Sequence, residues 1–167
     1  MNALNTNNVV SLDGFRGQPT KVATQSAASV TAVPNQLLSP KWESSVRSRL
    51  ERLLQLKSDW DGAGAKRVEA ETARYSFGLL QYVWAVNGVA PFIAPTCYGG
   101  VQFEWHLSDM DLEIEIVRSH HIRVLLLDAR DESEAFFECR HDLSELIRSI
   151  EKFQERYESG LDATAAA

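Results

Sequence analysis

The chain has 167 residues, of which 44% are hydrophobic and 24% are charged, and its formal net charge is −6. These values are typical of one globular domain with a substantial core, and they exclude wholesale disorder. The excess of acid disfavours nucleic acid as a direct partner, because binding to a phosphate backbone depends on basic side chains. No apolar run approaches the roughly 20 residues of a membrane helix, and the N terminus lacks the pattern of a secretory signal. We therefore expect a cytoplasmic protein without a membrane contact.

The ends of the chain differ in composition from its middle. Residues 1–38 are rich in Asn, Ser, Thr and Ala, contain few charges and show no sustained hydrophobic period. This composition predicts a flexible N-terminal tail. We expect a single α+β domain over residues 39–160 and a disordered C terminus over residues 161–167.

Two amphipathic helices are predicted at the start of the domain. The first follows Ser39-Pro40, a helix-start signal, and its apolar residues recur at helical spacing to about Lys57. The second spans about Glu69 to Asn87 and begins with an acidic turn that complements the helix dipole. We expect the two helices to form an αα-hairpin.

A glycine-rich loop, Asp59-Trp60-Asp61-Gly62-Ala63-Gly64-Ala65, connects these helices. Trp60 is expected to fill the gap between the helices and the sheet, as large aromatic residues commonly do. Asp61 is expected to accept hydrogen bonds from backbone amides of its own loop. The alternative is that Asp61 presents a ligand-binding carboxylate beside the Trp60 ring.

The central part of the chain predicts a β-hairpin. Apolar Val101, Phe103, Trp105, Leu112, Ile114 and Ile116 alternate with polar Gln102, Glu104, His106, Asp111, Glu113 and Glu115. Alternation with a period of two is typical of strands with one buried face. A two-residue turn at Ser108-Asp109 would place His106 opposite Asp111, Glu104 opposite Glu113 and Gln102 opposite Glu115. The polar set is thus our candidate binding surface.

Further strands flank this hairpin. Pro91 to Pro95 predicts a short edge strand, because proline cannot donate to a ladder, and Gly99-Gly100 predicts a turn or bulge. The nearly continuous apolar run Ile122 to Leu127 predicts a central strand covered on both faces. Glu134 to Cys139 predicts the last strand.

A capping box at Asp142 to Glu145 begins a third amphipathic helix. The predicted fold is an αα-hairpin, then a four- to five-stranded mainly antiparallel sheet, then a C-terminal helix packing on one face.

The position of Arg123 depends on strand register. A two-residue turn at Ser119-His120 would pair Arg118 with His121 and place Arg123 beside Ile116, away from the acidic residues. A slip of one residue would place Arg123 among them, because side chains alternate between the two faces. Both alternatives remain open from the sequence.

The Trp-Asp-Gly-x-Gly-Ala turn at residues 60–65 and the strand Gly99-Gly100-Val101-Gln102-Phe103-Glu104-Trp105 together resemble a pattern of uncharacterised small bacterial and phage proteins. The resemblance covers about Leu50 to Ile116. It implies a shared small α+β fold and no catalytic residues.

The sequence contains no phosphate-binding loop, dinucleotide fingerprint or nucleophile elbow. We therefore predict no catalytic residue, no cofactor and no metal ligand, and we expect Cys97 and Cys139 to be reduced. An enzyme is disfavoured. Between Arg74 and Arg118 the chain has no Lys or Arg, although Glu104, Asp109, Asp111, Glu113 and Glu115 lie in that interval. Charge of one sign favours a basic partner or a cation, or serves only solubility as a solvated sheet face.

The leading hypothesis is a non-catalytic protein-interaction module whose acidic sheet face binds a protein with a basic surface. The resemblance favours an antitoxin-like, immunity-like or host-defence-inhibiting role. One alternative is a metal-assisted hydrolase or cation-binding protein using Glu104, His106 and Glu113, because clustered carboxylates and imidazole can bind a cation. Another is a nucleic-acid mimic that blocks a basic protein.

Overall fold

The computed structural model of the chain describes residues 41–84 and 88–165. The predicted tail over residues 1–38, the Ser39-Pro40 start signal and Asn87 lie outside them. The elements are α1 (Glu43–Leu53), α2 (Ala70–Val83), β1 (Phe92–Pro95), β2 (Val101–His106), β3 (Met110–Arg118), β4 (His121–Asp128), β5 (Ser133–Cys139) and α3 (Ser144–Ala165). The predicted α+β class is confirmed. Among the described residues, no helix combines the length and hydrophobicity needed to cross a membrane.

The five strands form one antiparallel sheet in the order β1-β2-β3-β4-β5. This meander is the topology expected for consecutive strands joined by short turns. β1 lies at one edge, as its flanking prolines predict, and the predicted pairings of the β2–β3 hairpin are all present. Gly99-Gly100 forms part of a turn, in which the Gly99 N–H donates to the Thr96 carbonyl at 3.0 Å.

One face of the sheet forms one side of the hydrophobic core. Its buried side chains include Val101, Phe103, Trp105, Leu112, Ile114, Ile116, Ile122, Val124 and Leu126. The helices pack on this face with buried Val46, Leu50 and Leu53 from α1, Ala73, Phe77 and Leu80 from α2, and Leu146, Ile150 and Phe153 from α3. Burial of one large apolar side chain contributes roughly 1.5–3 kcal/mol, so this layer is the main source of stability.

Two stacked tryptophans connect α2 to the sheet. The rings of Trp84 and Trp105 lie 4.2 Å apart between centroids, and both indole N–H groups donate to the Val89 carbonyl, at 3.1 and 3.0 Å. Phe153 of α3 packs against both rings. A buried indole requires a hydrogen-bond acceptor, so this arrangement satisfies two such donors with one carbonyl.

The helix boundaries differ from the predicted ones. α1 ends at Leu53 rather than near Lys57, and α2 ends at Val83 rather than Asn87. The second difference arises because the backbone of Trp84 is extended, with ψ of 136°, where its ring stacks on Trp105. α3 continues to Ala165, through residues for which the sequence predicts a disordered end. At its start, the Asp142 carboxylate accepts from the Ser144 N–H at 2.9 Å.

The prediction that β4 is covered on both faces is wrong. Its side chains alternate between buried and half-buried, and Leu125 and Leu127 lie on the face opposite the helices. The apolar run therefore does not indicate a second covering layer among the described residues. It leaves two leucines partly exposed on the sheet.

A bulge in β3 decides the position of Arg123. Arg118 pairs with His121, as a two-residue turn requires, but the register shifts between Ile116 and Arg118. A bulge inserts one unpaired residue into a strand. Consequently Arg123 lies opposite Glu115 rather than Ile116, among the acidic side chains.

A charge cluster joins α3 to the sheet. The Asp128 side chain at the end of β4 is fully buried and accepts from Arg156 at 3.1 Å and from Lys152 at 2.8 Å. Arg156 also contacts Asp109 at 3.0 Å, and Arg130 pairs with Asp109 as well. The hydrogen bond from Lys152 is the largest of the effects that hold the pKa of Asp128 far below its ordinary value, and loop amides add to it.

We predict that this cluster makes folding sensitive to acid. Because the pKa of Asp128 is lower in the folded than in the unfolded chain, its contribution to stability is present above about pH 4 and is lost as pH falls through the folded pKa. In urea titrations, Asp128→Asn should lower the free energy of unfolding at pH 7 and flatten its decline below pH 4. The exposed neighbour Asp131 provides the control Asp131→Asn, and equal effects of the two variants would contradict this role.

A second prediction concerns Gly100. A Cβ atom at this position would lie 2.6 Å from the Ile116 carbonyl and 2.8 Å from the Thr96 hydroxyl. Since strand backbone cannot move aside freely, Gly100→Ala should lower the free energy of unfolding by about 1–3 kcal/mol. Gly160→Ala is the control, because a Cβ atom added at this helical position would meet no other heavy atom within 4 Å, and it should leave stability unchanged or slightly raised. Equal stability of the two variants would contradict the close approach.

Candidate functional site

The sheet face turned away from the helices, here called the open face, is organised in three cross-strand rows. The middle row contains Phe92, Glu104, Glu113, Leu125 and Phe136. The upper row contains Ala94, Gln102, Glu115, Arg123 and Glu138, and the lower row contains His106, Asp111, Leu127 and Glu134. Antiparallel register places residues that lie directly opposite one another on the same face.

All six predicted surface residues lie on the open face: Gln102, Glu104, His106, Asp111, Glu113 and Glu115. Sequence reasoning missed the members contributed by the neighbouring strands. Glu134, Phe136 and Glu138 of β5 belong to the same face, and they could have been found from the pairing of β5 with β4. The three rows thus carry six carboxylates against one arginine.

The upper row is partly neutralised. Arg123 donates from Nε to Glu138 at 2.9 Å and lies 3.4 Å from Glu115 through Nη1. Glu138 also contacts the buried His121 at 3.0 Å, and its pKa is lowered chiefly by Arg123 and next by His121. Each charged group of this row therefore has a partner of opposite charge or an imidazole beside it.

The middle row is not neutralised by any Lys or Arg of the described chain. Glu104 and Glu113 lie opposite one another, which is destabilising for like charges. Their carboxylates have separate partners, since Glu113 accepts from the Gln102 amide at 3.1 Å and Glu104 lies 3.6 Å from the His106 ring. The pair is thus tolerated in the free protein but remains a concentrated negative charge.

Exposed aromatic rings flank this acidic pair. Phe92 on β1 is 59% exposed and Phe136 on β5 is 64% exposed, and both belong to the middle row. Leu125 separates Phe136 from Glu113. Large exposed apolar side chains beside charge are typical of protein-binding surfaces.

His106 joins the lower row to the middle row. Its Nδ1–H donates to the Asp111 carboxylate at 2.8 Å. This hydrogen bond is the largest contribution that raises the pKa of His106 above 6.5, and Glu104 adds a smaller one. Protonated His106 therefore offsets part of the acidic charge.

The hypothesis of a metal site at Glu104, His106 and Glu113 requires convergent ligands. Glu113 instead accepts from Gln102, and His106 is engaged with Asp111. Within residues 41–84 and 88–165, no group of three His, Cys, Asp or Glu side chains is arranged to hold a metal ion. Cys97 is exposed, Cys139 is buried, and both are free thiols.

The structure confirms one of the two predictions made for the loop at residues 59–65. Asp61 accepts from the amides of Ala63 and Ala65, at 2.9 and 3.0 Å, which lowers its pKa and confirms the predicted backbone bonding. The prediction that Trp60 fills the gap between helices and sheet is wrong. Trp60 is only half-buried, because its indole N–H turns to the Lys66 carbonyl at the end of the loop.

Comparison of the chain with models of protein families, with curated proteins and with solved structures finds no match.

The environment of His106 generates a testable titration. In an NMR titration, we expect the imidazole to have a pKa above 6.5 in the native chain and a lower one in Asp111→Asn, because the main acceptor is removed. The His106–Asp111 pair should stabilise the fold below pH 6.5, and this contribution should be lost as pH rises through the folded pKa. The exposed helix residue Glu51 provides the control Glu51→Gln. An unchanged His106 pKa in Asp111→Asn would contradict the assignment.

Proposed function

We propose that the protein is a non-catalytic interaction module that binds a basic protein through its open face. The middle row carries this proposal, because it places the acidic pair Glu104 and Glu113 between exposed Phe92 and the apolar pair Leu125 and Phe136. A partner surface with arginine or lysine beside apolar side chains would complement it. Complementary charge of this kind accelerates encounter and fixes orientation more than it raises affinity.

Two further features support a protein as the occupant. A depression of about 120 Å³ lies beside Phe136 and is lined in part by Gln102, Glu113 and Arg123. This volume is below the roughly 300 Å³ at which small-ligand pockets begin, so the depression beside the acidic pair suits a side chain of a macromolecular partner better than an enclosed small ligand. The two phenylalanines also provide candidate hot spots, since aromatic side chains dominate many interfaces.

An antitoxin-like, immunity-like or host-defence-inhibiting role is the specific form of the proposal that the motif resemblance favours. Each of these roles can be performed by a non-catalytic protein that occupies a basic surface of its target. The identity of the partner distinguishes them. A target whose basic surface normally binds DNA would make the open face a nucleic-acid mimic, and competition between DNA and this chain would reveal that case.

The test is a charge reversal with a matched control. Glu104→Lys combined with Glu113→Lys removes the acidic pair, and Glu51→Lys combined with Glu151→Lys makes the same change of net charge on exposed positions of α1 and α3. Tagged full-length chains would capture proteins from cells of the natural source at low salt. The captured partner would then be purified and its affinity measured by calorimetry.

We expect the sheet reversal to weaken binding at least about tenfold and the helix reversal to leave it within about twofold. Binding of the native chain should weaken as salt rises, because exposed charges are screened. Equal affinity of the native chain and the sheet reversal, or an affinity independent of salt, would refute the open face as the binding surface.

A further inference from the structure

A second surface feature lies away from the open face, where α2 meets the β3–β4 turn and the loop between β5 and α3. Eight residues line an open cavity of about 360 Å³: Tyr75, Gly78, Leu79, Tyr82, His120, Arg140, His141 and Leu143. Cavities of this size accommodate small organic molecules. This cavity is part of neither the hydrophobic core nor the three rows of the open face.

The walls of the cavity combine aromatic and apolar groups. The Tyr75 and His120 rings lie 4.9 Å apart between centroids, and Leu79 and Leu143 contribute aliphatic surface. His120 has a positive φ of 59°, a conformation that non-glycine residues adopt rarely and that turns its ring toward Tyr75. The adjacent His121 is instead buried against Glu138, so the two imidazoles have different environments.

The charge of the cavity is opposite to that of the protein. Arg140, His120 and His141 are its ionisable cationic groups, and none of the eight lining residues is acidic. Among the described residues, Arg140 has no ion-pair partner. The nearby Asp142 does not supply one, because its carboxylate accepts from the amide and hydroxyl of Ser144.

We propose that this cavity binds a small organic anion with a flat apolar body, an aromatic carboxylate, with the guanidinium of Arg140 and the imidazole of His141 as the anion-binding groups. The side chains of Tyr75, His120 and Leu79 form the surface for the ring. Arginine suits this role, since its fixed donor geometry matches a carboxylate. The eight lining residues include none of the three rows of the open face.

The test uses benzoate as the probe and neutral benzamide as its isosteric control. The full-length chain would be labelled at the histidine rings and titrated with either compound while NMR records the imidazole signals. We expect saturable shifts at His120 and His141 with benzoate, and none at His106, which lies on the open face. Benzamide should bind at least about tenfold more weakly, because it lacks the charge-assisted contact.

Variants distinguish binding of benzoate at Arg140 from non-specific attraction to the positive charges of the protein. Arg140→Gln should weaken benzoate binding about tenfold, whereas Arg52→Gln on exposed α1 removes the same charge and should leave it unchanged. Arg140 is exposed, so its replacement is compatible with folding. NMR signals of core residues that are the same in the variant and the native chain would verify that the variant is folded.

Three results would overturn the proposal. One is the absence of saturable shifts up to about 50 mM benzoate, which corresponds to negligible affinity. Another is equal affinity for benzoate and benzamide, or unchanged benzoate binding by Arg140→Gln. The third is a response of His120 and His141 only to the protein partner, which would make the cavity part of a protein interface.

Discussion

The pairing of β2 with β3 is the constraint on which the rest of the structure depends. Because side chains alternate along a strand, one register assigns Phe103 and Ile114 to the core and Glu104 and Glu113 to the opposite face. A slip of one residue would bury carboxylates under the helices at a cost of several kcal/mol per charge. The same register that builds the core therefore concentrates negative charge on the open face, and the fold and the proposed interface have one cause.

The neighbouring strands determine how far that charge is neutralised. The bulge between Ile116 and Arg118 shifts Arg123 to the position opposite Glu115, and Arg123 then bridges to Glu138 on β5. Among the described residues, no Lys or Arg pairs with the acidic side chains of the other two rows, where His106 alone can offset negative charge when it is protonated. The middle row keeps its acidic pair beside Phe136 and Leu125, which explains why the proposed interface centres there and not on the six predicted residues equally.

The fold was predictable from the sequence wherever the order of apolar, polar and proline residues directly indicates which side chains are buried or which strand lies at an edge. Alternation predicted the β2–β3 hairpin and its register, and the prolines predicted the edge position of β1. The bulge was not predictable, because its effect appears only when the turn at Ser119-His120 and the pairing of β4 are known together. The partial exposure of Leu125 and the end of α2 at Trp84 also depended on tertiary structure. No second layer of the described residues covers Leu125, and Trp84 leaves the helix to stack on Trp105. For the site, the acidic residues were predictable from β2 and β3 alone, whereas Phe136 and Glu138 required the sheet order.

Carboxylate footprinting of the chain bound to a captured and purified partner would decide whether the open face is the binding surface. Carbodiimide labelling followed by mass spectrometry would compare each Asp and Glu in the free and bound chain. We expect protection of Glu104 and Glu113 in the complex, with Glu51 of α1 and Glu151 of α3 labelled equally in both states. Protection of the helix carboxylates, with Glu104 and Glu113 still labelled, would contradict it and would place the interface on the helical side of the molecule.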